Sequence, residues 1–226
     1  MDKKMIKCCI FDLDGTLLNT LDTITYYVNL TLKNHNIEPI TLDECKSFVG
    51  SGARNLIRRA LASRGISDGS LVDAYLKEYK SCYDADPYYL TEPYPEIYEL
   101  LDELAARGIR LAVLSNKQHT ATTLTVEHFF GDRFDTVLGD GGNMPLKPEP
   151  DSALLVMQRL GVTPSECAYI GDSDVDALTG INAGVALNIS ALWGFRTKEE
   201  LTRAGGRLFV SSAKQIFNII FKENEL

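Results

Sequence analysis

In Cys8-Cys9-Ile10-Phe11-Asp12-Leu13-Asp14-Gly15-Thr16-Leu17-Leu18, an apolar run ends abruptly in two aspartates separated by one residue, and a glycine follows. An unbroken apolar run of this kind reads as a strand of a parallel sheet, covered on both faces. Ligands of open α/β sheets bind at the carboxyl ends of the strands. Asp12 and Asp14 are therefore expected where chemistry takes place. Two carboxylates this close repel, and keeping both ionised calls for a cation or a basic group. An Asp-Gly turn would use the same residue types for turn geometry alone, so this motif needs support from the rest of the chain.

Working outward, Leu18 to about Asp86 reads as entirely helical. Leu21, Ile24, Val28 and Leu32 recur at helical spacing between Thr20 and His35. Thr41-Leu42-Asp43-Glu44 has the form of a capping box that opens a second helix. Leu56, Ile57, Ala60 and Leu61 mark a third helix over Ala53 to Ser63, and Leu71, Ala74, Tyr75 and Tyr79 a fourth over Ser70 to Tyr83. Pro87, Pro93 and Pro95 then mark a linker. Beyond Pro95, helices alternate with short apolar strands at Leu111–Leu114, Phe134–Leu138, Cys167–Ile170, Val185–Ile189 and Leu208–Val210. Alternation of this kind implies a doubly wound parallel sheet with helices on both faces. The fold class is thus α/β, with a small helical domain inserted after the first strand. The expected division is residues 1–16 and 88–226 for the α/β domain, and residues 17–87 for the insert.

The chain has 226 residues and a formal net charge of -8, with 45% hydrophobic and 24% charged residues. This is the composition of an ordinary globular protein, and the negative balance argues against a nucleic-acid partner. No apolar stretch reaches the length that crosses a bilayer, so no membrane partner is expected. Met1-Asp2-Lys3-Lys4-Met5 lacks the form of a signal peptide. The five cysteines, Cys8, Cys9, Cys45, Cys82 and Cys167, have no metal spacing. Cys8 and Cys9 adjoin on a strand and should face opposite sides of the sheet. All five read as reduced thiols of a cytoplasmic protein. His35, His119 and His128 show no ligand spacing.

Three further segments bear on the first motif. Leu111-Ala112-Val113-Leu114-Ser115-Asn116-Lys117 ends an apolar strand in a hydroxyl and an amide before a helix. That arrangement suits either a phosphate seat or a helix N-cap. In Leu146-Lys147-Pro148-Glu149-Pro150, an extended Lys-Pro step before a helix can project Lys147 into the same cleft. A solvated loop lysine has the same local sequence. Tyr169-Ile170-Gly171-Asp172-Ser173-Asp174-Val175-Asp176 again ends a strand in an acidic cluster. Asp172 and Asp176, four apart, can share one face of a helix turn and offer hard oxygen ligands. Acidic residues also favour helix N-termini for dipole reasons alone, a reading that covers Asp174.

Taken together and in this order, the four segments resemble the motifs of the haloacid dehalogenase superfamily of phosphotransferases. The resemblance spans the whole chain and implies a Rossmann-like core, with the helical insertion similar to the family's C1-type α-helical cap. The closest likeness is to the phosphoglycolate phosphatase-like subgroup, which also includes pyrophosphatases and β-phosphoglucomutases. Its members often carry a Gly-x-Gly cap loop, here Gly50-Ser51-Gly52, and a Trp-Gly pair, here Trp193-Gly194.

The resemblance implies that Asp12 is a nucleophile forming an aspartyl-phosphate, and that Asp14 is the general acid/base. It implies Mg²⁺ held by the Asp12 carboxylate, the Asp14 backbone carbonyl and the Asp172 carboxylate. Asp176 is either a further ligand or a partner that orients Lys147. Ser115, the Asn116 backbone N–H and Lys147 would grip the transferring phosphoryl group. Thr16 joins the substrate-binding set by bracing its loop. Gly50, Gly52 and Arg54 are the cap's candidate substrate contacts, although an interhelical turn with a solvated arginine fits the same residues. Trp193 would line the cleft mouth or pack in the core. The presence of Asp14 favours phosphoryl transfer over carbon–halogen cleavage. The implied activity is Mg²⁺-dependent hydrolysis of a small phosphorylated metabolite, phosphoglycolate first, by a monomer or homodimer. Pyrophosphate hydrolysis and sugar-phosphate mutation share the chemistry. A non-catalytic regulatory protein on the same fold would be free to lose one of Asp12, Asp14, Lys147 and Asp172.

Overall fold

The first apolar run forms β1, Cys8–Phe11, with all four side chains buried, in a computed structural model that describes residues 5–225. A short strand, β2 (Leu18–Asn19), leads into four helices: α1 (Leu21–Asn34), α2 (Leu42–Phe48), α3 (Ala53–Ala62) and α4 (Gly69–Ala85). The chain returns through β3 (Glu92–Pro93), which pairs antiparallel with β2. There follow α5 (Ile97–Ala106), β4 (Arg110–Gln118), α6 (His119–Phe130), β5 (Thr136–Asp140) and α7 (Asp151–Leu160). A 3-10 turn at Pro164–Glu166 precedes β6 (Cys167–Gly171) and α8 (Asp174–Ala183). The last elements are β7 (Leu187–Ala191), α9 (Lys198–Arg203), β8 (Leu208–Val210) and α10 (Ala213–Glu225).

Six strands make one parallel sheet in the order β5-β4-β1-β6-β7-β8. The chain winds outward from β1 first through β4 to β5, then through β6 to β8. The winding reverses direction at β1, which opens a crevice at its carboxyl end. Alternation along β1 divides its side chains between two cores. Cys9 and Phe11 pack on one face with Leu101 and Leu104 of α5, Phe130 of α6 and Ile216 of α10. Cys8 and Ile10 pack on the other with Val156 and Met157 of α7 and Ala183 of α8. A third apolar cluster joins the four helices through Val28, Leu32, Cys45, Leu56, Leu61, Val72, Tyr79 and Tyr83. Ala121 of α6 and Phe195 also belong to it, so this cluster reaches the roof of the sheet's crevice. All five cysteines are free thiols, and Cys8 lies in register with Cys167 across β1 and β6.

Two sequence expectations are corrected here. The strand expected to end at Leu114 runs on to Gln118, with its register against β5 shifting between Leu114 and Gln118. α6 therefore starts only at His119, and no side chain among the described residues caps it. Ser115 and Asn116 are strand-end residues set back from the helix, so neither is an N-cap. No element was expected over residues 190–207, where α9 lies. Its capping box, Thr197 with Glu200, encloses one short amphipathic turn with a single buried residue, Leu201, too brief for periodicity to reveal.

Candidate active site

Asp12 leaves β1 with its backbone N–H donated to the Ile170 carbonyl, which fixes it between the ends of β1 and β6. The next residues turn tightly, since the N–H groups of Thr16, Leu17 and Leu18 all point to the Leu13 carbonyl. Gly15 makes the turn at φ +87°, and a Cβ there would stand 2.4 Å from Asp172 Oδ2. From the far side, a Cβ on Gly194 would come within 2.3 Å of Asp172 Cβ. Two glycines thus let the backbone close on one carboxylate. Leu13 is fully buried, and Asp12 and Asp14 both face the cleft.

Asp172, at the end of β6, is 0% exposed. Its Oδ1 accepts from Thr16 Oγ1 at 3.0 Å, and its Oδ2 accepts from the Phe195 backbone N–H at 2.6 Å. Burial, reinforced by the charge of Asp176, pushes its carboxyl up to about 7 despite those donors. Asp12 is likewise held above the usual carboxylate range, by burial first and by Asp176, with Lys147 opposing.

The Lys147 ammonium sits among these acids. It lies 2.7 Å from Asp176 Oδ1 and 2.9 Å from Asp12 Oδ1, and it donates to the Leu114 carbonyl at 3.1 Å. Burial alone would lower it, but Asp12 and Asp176 override that and keep it well above the usual lysine range. Its backbone is clamped by Asn116, whose Oδ1 accepts from Lys147 N at 2.8 Å and whose Nδ2 donates to Lys147 O at 3.0 Å. The same Nδ2 donates to Gly50 O across the cleft at 3.0 Å. Asp176 closes the network. Its Oδ1 accepts from Lys147 and Tyr169, and its Oδ2 accepts from the Ser173 N–H and hydroxyl. These donors hold Asp176 below the usual range against the pull of burial.

One oxygen each of Asp12, Asp172 and Asp176 lies within 4.8 Å of the others. Asp12 Oδ1 is buried with no aligned hydrogen-bond donor among the described residues, its contact to Lys147 being an ion pair. Three buried carboxylates against one ammonium leave an excess of negative charge, and their oxygens are hard ligands. A hard divalent cation fits this donor set on Asp12 and Asp172. Asp176 has both oxygens committed to protein donors, so orienting Lys147 is its clearer role.

The structure brings together Asp12, Asp14, Ser115, Asn116, Lys147 and Asp172 with Gly50 and Gly52 along one cleft. It does not bring Arg54 there. The Arg54 guanidinium pairs with Asp73 at 3.0 Å on an exposed face of the insert, because its position on α3 points away from the buried Leu56–Ile57 side. Thr16, expected among the substrate contacts, spends its hydroxyl on Asp172 and does not line the cleft. Trp193 donates its indole N–H to the Thr16 carbonyl at 3.1 Å and packs on the core. The sequence reading missed Lys117, which salt-bridges Asp14 at 2.9 Å, and Arg196, Tyr79 and Tyr83, which line the cleft. Only the place of Lys117, directly after Ser115-Asn116, could have singled it out.

Known proteins share this sequence pattern and this fold. Residues 9–189 match the family model described as haloacid dehalogenase-like hydrolase. A phosphoglycolate phosphatase of Cereibacter sphaeroides is 36% identical over 178 residues, covering 78% of this chain and 81% of the relative. One from Aquifex aeolicus is 31% identical, covering 84% and 86%. A solved structure from Lactobacillus delbrueckii subsp. bulgaricus superposes with a TM-score of 0.90 at 31% identity, over 96% of this chain and 98% of the other.

Proposed function

Because the chain belongs to the haloacid dehalogenase-like hydrolase family, we propose that it is a Mg²⁺-dependent phosphatase that hydrolyses a small phosphomonoester, phosphoglycolate, through an aspartyl-phosphate. The observation that carries this reading is the seating of the Lys147 ammonium between Asp12 and Asp176, with Asp14 lining the same cleft. The two named relatives are phosphoglycolate phosphatases.

In this mechanism an Asp12 carboxylate oxygen attacks phosphorus. The phosphorus–oxygen ester bond breaks, and the leaving oxygen takes a proton from Asp14. Asp14 then removes a proton from water, which attacks the phosphoryl group on Asp12, releasing phosphate and restoring the carboxylate. Lys147, the Ser115 hydroxyl and the Asn116 N–H hold the phosphoryl oxygens as charge builds on them. When bound by Asp12, Asp172 and the Asp14 carbonyl, Mg²⁺ supplies positive charge that screens the nucleophile from the phosphate dianion. Asp176 keeps Lys147 charged and aimed. Residues 17–87 act as a cap that excludes water from the cleft.

The test is release of inorganic phosphate from phosphoglycolate and from p-nitrophenyl phosphate, with Mg²⁺ and with EDTA. Turnover that needs Mg²⁺ supports the reading. Absence of turnover on both substrates in Mg²⁺ would overturn it.

A further inference from the structure

Tyr83 lies near the end of α4, with its ring inside the insert's apolar cluster and its edge on the cleft. The residue is 3% exposed, and its hydroxyl is buried with no hydrogen-bond partner among the described residues. Leaving such a group unpaired costs desolvation energy that a bound ligand atom would recover. Burial, and then the charge of Asp14, keeps the phenol protonated, so it is a donor and stands on the Asp14 side of the cleft.

A second group converges there. The Lys117 ammonium sits 4.8 Å from the centroid of the Tyr83 ring and 2.9 Å from Asp14 Oδ1. Its side chain is 9% exposed. The other cations near the cleft are engaged elsewhere or offset. Arg196 is committed to Asp174 and to the Lys46 and Val49 carbonyls. Lys80 lies one helical turn from Asp84, whose carboxyl burial pushes up against the charges of Lys80 and Lys117.

We propose that Lys117 and Tyr83 form the seat for a carboxylate on the leaving group, and select a small phosphorylated acid over a neutral phosphomonoester. The inference rests on the phosphatase reading above and assigns its selectivity to named residues. In that reading Asp14 comes within roughly 2.6–3.2 Å of the leaving oxygen. Lys117 is at similar range from Asp14 on the roof side, so a carboxylate one carbon from the ester oxygen falls beside the ammonium. One carboxylate oxygen takes the ammonium, and the other accepts from the Tyr83 hydroxyl. A longer leaving group would carry its charge past both, against the apolar wall of Ile24, Leu56 and Tyr79.

The experiment compares phosphoglycolate with its neutral isostere, the phosphate ester of glycolamide, on the full chain in Mg²⁺. The readout is the ratio of kcat/KM for acid over amide. The wild-type ratio should be about 10 or more, the range of one hydrogen-bonded ion contact. Tyr83→Phe keeps the packed ring and should lower the ratio several-fold through KM for the acid. Lys117→Met should bring it near one. Its loosening of Asp14 affects both substrates and cancels in the ratio. A wild-type ratio near one, or a high ratio that survives both substitutions, overturns the inference and leaves the phosphatase reading intact. A wild type that hydrolyses p-nitrophenyl phosphate but neither of these esters overturns this inference alone, and one that hydrolyses none of the three overturns the phosphatase reading as well.

Discussion

Lys147 Nζ and Asp176 Oδ1 meet at 2.7 Å, with both side chains only 2% exposed. Its donors hold Asp176 below the usual carboxylate range, so replacing it removes a charge that stabilises the fold and leaves the buried Lys147 ammonium to Asp12 alone. Asp176→Asn should therefore destabilise the protein by about 3 kcal/mol, read as a shift in the urea midpoint. It should also lower kcat, since Lys147 loses the group that aims it. Lys147→Ala should cost on the order of 10²–10³ in kcat, as for loss of a donor to transition-state charge. An Asp176→Asn protein with unchanged midpoint and kcat would remove the orienting role.

Asp12→Asn separates catalysis from stability. The amide keeps the shape but cannot attack phosphorus, so turnover should fall on the order of 10⁴-fold or more. The same change removes one negative charge from a buried group crowded by Asp172 and Asp176. Thermal melting without divalent cations at about pH 8 should therefore rise relative to the wild type. Labelling of the wild type at Asp12 by beryllium fluoride, absent in the variant, checks the nucleophile directly. Near-normal turnover in the variant would exclude Asp12 as that nucleophile.

The pH dependence of the metal-free protein has a definite sign. Burial moves the Asp172 carboxyl from 3.8 to about 7 in the folded chain, and Asp12 moves the same way. Between those values the native state holds protons that the unfolded chain has released, so stability falls as pH rises through the interval. The depressed Asp176 contributes with opposite sign, losing its stabilisation only as pH falls toward and below 3.8. Melting temperature without metal should thus drop between about pH 5 and about pH 8. Added Mg²⁺ should raise it more at the upper end, where the carboxylates are ionised. An Mg²⁺ increment equal at both ends would argue against binding at Asp172.

Much of this arrangement is legible in the sequence. Apolar runs ending in Asp12, Ser115 and Asp172 placed three strand ends at one crevice, because a parallel strand buried on both faces leaves little else in its sequence. The order of β1, β4 and β6 in the sheet then brings those ends together. Arg54 misled for a related reason. Its position after Gly50-Ser51-Gly52 is local information, whereas the face of α3 it occupies is set by how Leu56, Ile57, Ala60 and Leu61 bury. Tyr83 and Arg196 were invisible because each meets the cleft from a distant part of the chain. Their neighbours in sequence carry only an ordinary helical stripe and a short connection.

Arg196 joins the two halves of the cleft, and its removal tests whether the insert works as a closing cap. From the connection after β7, its Nε donates to Asp174 Oδ1 at 3.1 Å. Its other two nitrogens donate to Lys46 O at 2.6 Å and Val49 O at 2.8 Å, carbonyls at the end of α2. A guanidinium serves three acceptors at once and complements the negative end of a helix. An ammonium cannot span the same set. With Asn116 holding Gly50 O, Arg196 fixes the Val49–Gly52 loop at the cleft. Arg196→Ala and Arg196→Lys should both speed hydrogen exchange in residues 46–52 while leaving β1 and β6 protected. Each should lower kcat/KM about 10-fold, the equivalent of 1.4 kcal/mol, mainly by raising KM. Exchange confined to the α8 end, with residues 46–52 unchanged, would mean that Arg196 steadies only Asp174 and that the loop is held by other contacts.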